Sequence, residues 1–90
     1  MQDCLAYVYV LQSVKNGRHY IGCSVDPQRR LAEHNAGESK STRGRGPWRL
    51  VHVEGYSSLT AARQREQALK RKKSSQYLSR LVAGAVPPLG

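Results

Sequence analysis

Two alternating runs separated by an Asn-Gly turn restrict the start of this chain to a β-hairpin. Residues 5–12 read Leu-Ala-Tyr-Val-Tyr-Val-Leu-Gln, rich in the β-branched and aromatic side chains that suit a pleated strand. Alternation puts Tyr7, Tyr9 and Leu11 on one face and Val8 and Val10 on the other. Lys15-Asn16-Gly17-Arg18 supplies residues that accept positive φ, and His19–Cys23 then returns antiparallel. Two tyrosine motifs, Tyr7-Val8-Tyr9 and Tyr20-Ile21-Gly22, thus lie in neighbouring strands. The chain has five tyrosines and no phenylalanine, and three of the five fall here. A buried tyrosine needs a partner for its hydroxyl as well as room for its ring. Core packing is the ordinary use of strand tyrosines; two hydroxyls aimed at one arginine would make a site.

Arg30, ten residues beyond Tyr20, is the arginine in reach. Asp26 as N-cap and Pro27 at the first helical position predict a helix over Pro27–Asn35 that closes near Gly37. Arg30 and His34 share a face of it, while Leu31 points to the core. Ion pairing of Arg29 and Arg30 with Glu33 on a solvated face is the competing use of Arg30. His34 can contact phosphate, take a proton, or be a surface histidine.

Residues 37–47 form a Gly-, Ser- and Arg-rich loop, and Trp48–Glu54 reads as a third strand. Ser58 caps a second helix running to about Lys72, and Ser74 caps a third, Ser75–Val82, which packs through Tyr77, Leu78 and Leu81. The sum is an α+β fold: a small three-stranded antiparallel sheet flanked by helices, one domain over residues 1–84, with a short flexible tail over 85–90.

Charge narrows the partner. Lys and Arg number 15 against 6 Asp and Glu, a formal charge of +9, and residues 37–90 carry +8 of it with eleven basic and three acidic side chains. That sign and asymmetry favour a polyanionic partner, of which nucleic acid is the commonest; a solubility charge with no partner is the alternative. Two cysteines, Cys4 and Cys23, cannot build a disulfide scaffold, and His19, His34 and His52 have no zinc-ligand spacing. With neither a signal peptide nor a membrane span in the pattern, the expectation is a cytoplasmic protein.

Glu66 is the second telling residue. Leu59, Ala62, Glu66 and Leu69 fall on one helical stripe. A carboxylate on that stripe is expensive unless a metal ion or a buried arginine offsets it, or unless it sits at the stripe edge and pairs with a neighbour.

Taken in order, Tyr7-Val8-Tyr9, Tyr20-Ile21-Gly22, Arg30 and Glu66 within Arg-Glu-Gln-Ala-Leu-Lys resemble the GIY-YIG nuclease superfamily over residues 5–82. The chain looks closest to its small single-domain bacterial members, related to the N-terminal nuclease domain of UvrC. Residues 39–48 and 70–74 resemble those members as well. The resemblance implies an endonuclease-like fold and a divalent-metal-dependent endonuclease that hydrolyses DNA, in repair or in processing unusual DNA structures. It implies a site of Tyr9, Tyr20, Arg30, His34 and Glu66, with Glu66 holding one Mg²⁺ or Mn²⁺. Arg30 would face the non-bridging oxygens, Tyr20 would orient water or phosphate, and either Tyr9 or His34 would be the general base. Lys40, Ser41, Thr42, Arg43 and Arg45 in the loop, with Arg63, Arg65 and Lys70 on the second helix, would grip the DNA backbone. Two departures stand out: Tyr7 occupies the place of the first motif's glycine, and Cys23 follows Gly22 where several branches carry lysine. An accessory nucleic-acid-binding module, or a subunit that cuts only beside a protein partner supplying target choice, would share the charge.

Overall fold

Residues 5–40, 42–72 and 75–84 are described by a computed structural model. Strand β1 (Ala6–Ser13) lies between β2 (His19–Ser24) and β3 (Trp48–Tyr56), antiparallel to both. Helix α1 is Pro27–Asn35, α2 Leu59–Lys72 and α3 Ser75–Val82. This is the expected α+β architecture. The cap of α3 expected at Ser74, the tail from Ala85, Ser41 and Cys4 lie outside the described residues.

The hairpin forms where the sequence places it. Gln12 pairs with His19, and the Ser13 N–H donates to the Arg18 carbonyl at 2.8 Å. Gly17 takes φ 76°, the conformation an L side chain resists. Helix α1 starts as predicted: the Asp26 carboxylate accepts the Arg29 N–H at 3.1 Å, with Pro27 in the first turn. It ends at Gly37, which has φ 79° and donates to the His34 carbonyl. Ser58 Oγ accepts the Ala61 N–H at 3.1 Å and caps α2.

The two faces of β1 serve two cores. Ala6, Val8 and Val10 pack with Ile21 against Ala62 and Leu69 of α2 and Leu78 and Leu81 of α3. Tyr9 and Leu11 pack with Trp48, Tyr20, Leu50 and Leu31, the last from α1. Burying such side chains contributes ~1.5–3 kcal/mol each before entropy is counted. Strand β3 runs to Tyr56, two residues past its expected end, because Tyr56 still pairs with Ala6. A bulge lets it serve both cores: Val10 faces His52 but Leu11 faces Leu50, leaving Val51 extra. Trp48 and Leu50 thereby join the α1 side, while His52, Glu54 and Tyr56 turn toward α2.

The loop before β3 is anchored rather than free. Asn35 at the end of α1 grips Trp48 twice, its Oδ1 accepting the backbone N–H at 2.7 Å and its Nδ2 donating to the carbonyl at 3.1 Å. Ser13 Oγ donates to the Arg45 carbonyl at 2.7 Å. The Gly46-Pro47 peptide is cis.

Candidate active site

Tyr9 is 1% exposed, yet its ring crosses the neighbouring strand instead of filling only a core pocket. Its Cα partner on β2 is Gly22. A Cβ at Gly22 would come within 2.9 Å of Tyr9 Cε1, and closer still to Cζ and the hydroxyl oxygen. Real Cβ atoms do not make such contacts, so the motif glycine is the space through which the tyrosine reaches outward.

The hydroxyl ends between two groups of α1. His34 Nε2 lies 3.1 Å from Tyr9 Oη, and His34 Nδ1 lies 2.7 Å from Thr42 Oγ1. Arg30, one turn earlier, brings its guanidinium close enough to favour the ionised form of the Tyr9 hydroxyl. A guanidinium only donates, so it cannot accept the phenol hydrogen, which is left for His34 Nε2. Burial, reinforced by the Arg30 charge, holds the His34 pKa below the usual imidazole value, with Glu33 opposing. The imidazole is therefore neutral near pH 7. The arrangement that satisfies every group has Tyr9 donating to Nε2 and Nδ1–H donating to Thr42. Burial also raises the Tyr9 pKa, against the lowering effect of Arg30. Tyr9 accordingly keeps its proton at neutral pH and has an acceptor waiting for it.

Tyr20 stacks into the same cluster, its ring centroid 4.8 Å from that of His34 and 6.5 Å from that of Tyr9. Arg30 is shared between readings that the sequence left apart: it ion-pairs with Glu33 and it also reaches Tyr9. The charge of Glu66 acts on both the Tyr9 hydroxyl and Cys23 of β2. On Tyr9 the Glu66 charge is the smallest of the contributions, behind burial, Arg30 and Tyr20.

Glu66 is not, however, the buried charge of α2. The buried stripe is Ala62, Arg65 and Leu69, and Leu59 is 40% exposed in the first turn. Arg65 takes the buried side of the helix and Glu66 its edge, because Glu54 of β3 waits for the guanidinium. Its Nε and Nη2 meet Glu54 Oε1 and Oε2 at 2.8 and 3.2 Å. His52 Nε2 and the Tyr56 hydroxyl complete the carboxylate at 2.8 and 2.7 Å. Burial alone would raise the Glu54 pKa; the hydrogen bonds from Arg65, His52 and Tyr56 outweigh it and hold it at about 2. Glu66 instead sits at the stripe edge, its side chain 15% exposed, ion-paired with Lys70 Nζ at 2.9 Å.

Two of the expected DNA contacts are corrected by this packing. Arg65 is buried on Glu54 and offers no charge to solvent. Thr42 is 1% exposed and its hydroxyl serves His34, while its carbonyl accepts the Trp48 indole N–H at 3.3 Å. Lys40, Arg43, Arg45, Arg63 and Lys70 are exposed, with Arg43 Nε tied to the Gly37 carbonyl. Ser41 lies outside the described residues. The eight-residue link from Thr42 to His34 depends on the path of the loop, which no local pattern in the sequence specifies. The Glu54–Arg65 pair had one visible sign: Arg65 stands three and four residues from Ala61, Ala62, Ala68 and Leu69, on the apolar side of its helix.

Comparison with known proteins follows the same residues. The chain matches the GIY-YIG catalytic domain over residues 5–78. It belongs to the GIY-YIG family. It is 45% identical over 75 residues to a UPF0213 protein of Streptococcus pneumoniae, covering 82% of this chain and 75% of that one. It is 44% identical over 71 residues to a UPF0213 protein of Halobacterium salinarum, covering 78% and 91%. The structure-specific endonuclease subunit SLX1 of Mus musculus is 41% identical over 68 residues, 70% of this chain but 25% of that protein. The solution NMR structure of a UPF0213 protein from Bacillus halodurans is 38% identical, covers 82% of each chain and superposes with a TM-score of 0.48. The motif that gives this GIY-YIG chain its family corresponds here to one physical unit: Tyr9 lying across Gly22.

Proposed function

We propose that this protein is a DNA endonuclease that hydrolyses phosphodiester bonds with the help of one divalent ion. The observation that carries the reading is the Tyr9 hydroxyl, buried yet placed between a neutral imidazole and a guanidinium, with the Glu66 carboxylate in electrostatic reach. Such a hydroxyl can take a proton from an attacking water as its own passes to His34 Nε2. Thr42 holds the imidazole in the tautomer that accepts. Arg30 presents fixed positive charge where a phosphate gains negative charge, and Tyr20 walls the imidazole on its other side.

Glu66 fits the ion the family implies. Its carboxylate already faces a cation, the Lys70 ammonium. A single carboxylate is a hard oxygen donor of the kind that holds a largely hydrated Mg²⁺ or Mn²⁺. When bound, the ion supplies positive charge and ordered water to the scissile phosphate.

Lys40, Arg43, Arg45 and Arg63 are the surface cations proposed to hold the backbone. The similarity to a structure-specific endonuclease subunit supports a role in processing unusual DNA structures or in repair, and a protein partner that supplies target choice. The test is nicking of single-stranded, duplex, flapped and branched DNA with Mg²⁺ or Mn²⁺, comparing wild type with Glu66→Gln and Tyr9→Phe. The expected result is a loss of at least 10²-fold in rate for each variant at unchanged DNA affinity. Equal cutting by Glu66→Gln would remove the metal role. Binding without cutting by the wild type would favour an accessory module.

A further inference from the structure

A cavity of about 620 Å³ lies beside the site, along β2 on the side of the sheet covered by α2 and α3. Its floor is apolar: Ile21, Leu69 and Leu78, each less than a tenth exposed. Its rim carries two cations, Arg18 from the hairpin turn and Lys70 from α2, and among the described residues no acidic side chain lines it. Lys70 is the residue paired with Glu66, and Tyr20 borders both the cavity and the His34 cluster. The cavity therefore opens next to the groups proposed to cut. Strand β2 is an edge, paired only with β1 among the described residues, so alternate backbone N–H and C=O groups face outward there.

An apolar floor with a cationic rim and free backbone polar groups is complementary to one kind of occupant. A nucleobase has two apolar faces and a polar edge, and it comes attached to an anion. The volume falls within the ~300–1,000 Å³ of ordinary small-ligand sites. Bases in a continuous duplex keep their faces stacked, so only an unpaired nucleotide can enter.

We infer that this cavity receives an unpaired nucleotide adjoining the scissile phosphate, its base on Ile21, Leu69 and Leu78 and its phosphate on Arg18 and Lys70. The inference rests on the endonuclease reading and narrows its substrate class to DNA with a single-stranded segment at the cut, a flap or an overhang.

The 10.0 kDa chain permits an NMR test. Isotope-labelled protein is titrated with single-stranded dT4 and with a blunt hairpin duplex at one salt concentration, without divalent ions. The methyl signals of Ile21, Leu69 and Leu78 should shift saturably with dT4 and stay put with the hairpin. Arg18→Gln, at an exposed turn position, should weaken dT4 binding at least five-fold while its core methyl spectrum stays native. Shifts confined to other residues, equal shifts with the hairpin, or contacts showing the cavity filled by residues 85–90 of the free protein would each overturn the inference. A parallel cleavage assay separates the two proposals. Saturable methyl shifts with no cleavage of any DNA would remove the endonuclease reading and keep the nucleotide site. Equal cleavage of flapped and blunt DNA with no methyl shift would do the reverse.

Discussion

Replacing Gly22 by alanine asks whether the backbone opposite Tyr9 is what aims its hydroxyl. At an unobstructed strand position the change would stabilise the fold by ~0.4–1 kcal/mol, because alanine restricts the unfolded chain. Here the new Cβ would overlap Cε1, Cζ and the hydroxyl oxygen of Tyr9, and the sign reverses. Tyr9 is fixed on its other side by Leu11 and Trp48, so the ring has nowhere to relax without leaving His34 and Arg30. Overpacking of this kind costs ~1–3 kcal/mol, a fall in melting temperature of roughly 5–20 °C for a domain of this size. Displacing the hydroxyl by ~1 Å should slow nicking about 10²-fold. A thermal melt and a nicking assay on Gly22→Ala, Tyr9→Val and the double variant give the cycle. With the ring removed, the alanine should no longer destabilise, so the two changes are expected to be strongly non-additive. A Gly22→Ala protein that melts and cuts like wild type, or one that loses the same stability with Val at position 9, would refute the steric coupling.

Arg65→Met should cost ~3–5 kcal/mol in urea unfolding, because it strands the buried Glu54 carboxylate, and Glu54→Leu in the same chain should recover most of it. The lowered Glu54 pKa gives a matching acid signature. Its contribution, on the order of 3 kcal/mol, is present above about pH 4.5 and is lost as pH falls through about 2; Arg65→Met should shrink that loss. His34 also has a lowered folded-state pKa, so its stability contribution is full above the ordinary value of ~6.5 and falls as pH drops from there through the lowered value. His34→Phe should flatten that segment of the stability profile, and wild-type nicking should rise with pH across it. Thr42→Val should cost ~1–3 kcal/mol by leaving His34 Nδ1–H without its acceptor, and should move the imidazole nitrogen resonances in NMR.

The parts legible in the sequence are those written locally. Asn16-Gly17 specifies the hairpin, Asp26-Pro27 and Gly37 bound α1, and alternation through Tyr7–Leu11 separates the two faces of β1. What escaped depends on partners far along the chain. Arg65 and Glu66 sit one position apart, about 100° on a helical wheel, and the helix alone cannot choose which turns inward. Glu54 makes that choice from β3. The β3 bulge at Val51 likewise answers to β1 and carries no local signature in Leu50-Val51-His52. The family resemblance groups Tyr9, Tyr20, Arg30 and His34, but nothing in the sequence points to the Thr42 hydroxyl that fixes the tautomer.

The central position of β1 divides the candidate site by chain order. Tyr9, Tyr20, Arg30, His34 and Thr42 all lie within the first 42 residues, on the α1 face, whereas Glu66 comes on a helix docked against the opposite face. As the chain leaves the ribosome, the proton-handling half is complete in sequence some two dozen residues before the carboxylate exists. The growing chain therefore carries the arginine proposed to face phosphate well before the carboxylate proposed to hold the ion. On the proposed reading, competence to cut would arrive only when Ala62 and Leu69 seat α2 on Ala6, Val8 and Val10, so the packing of one helix would be the enabling step for the whole centre.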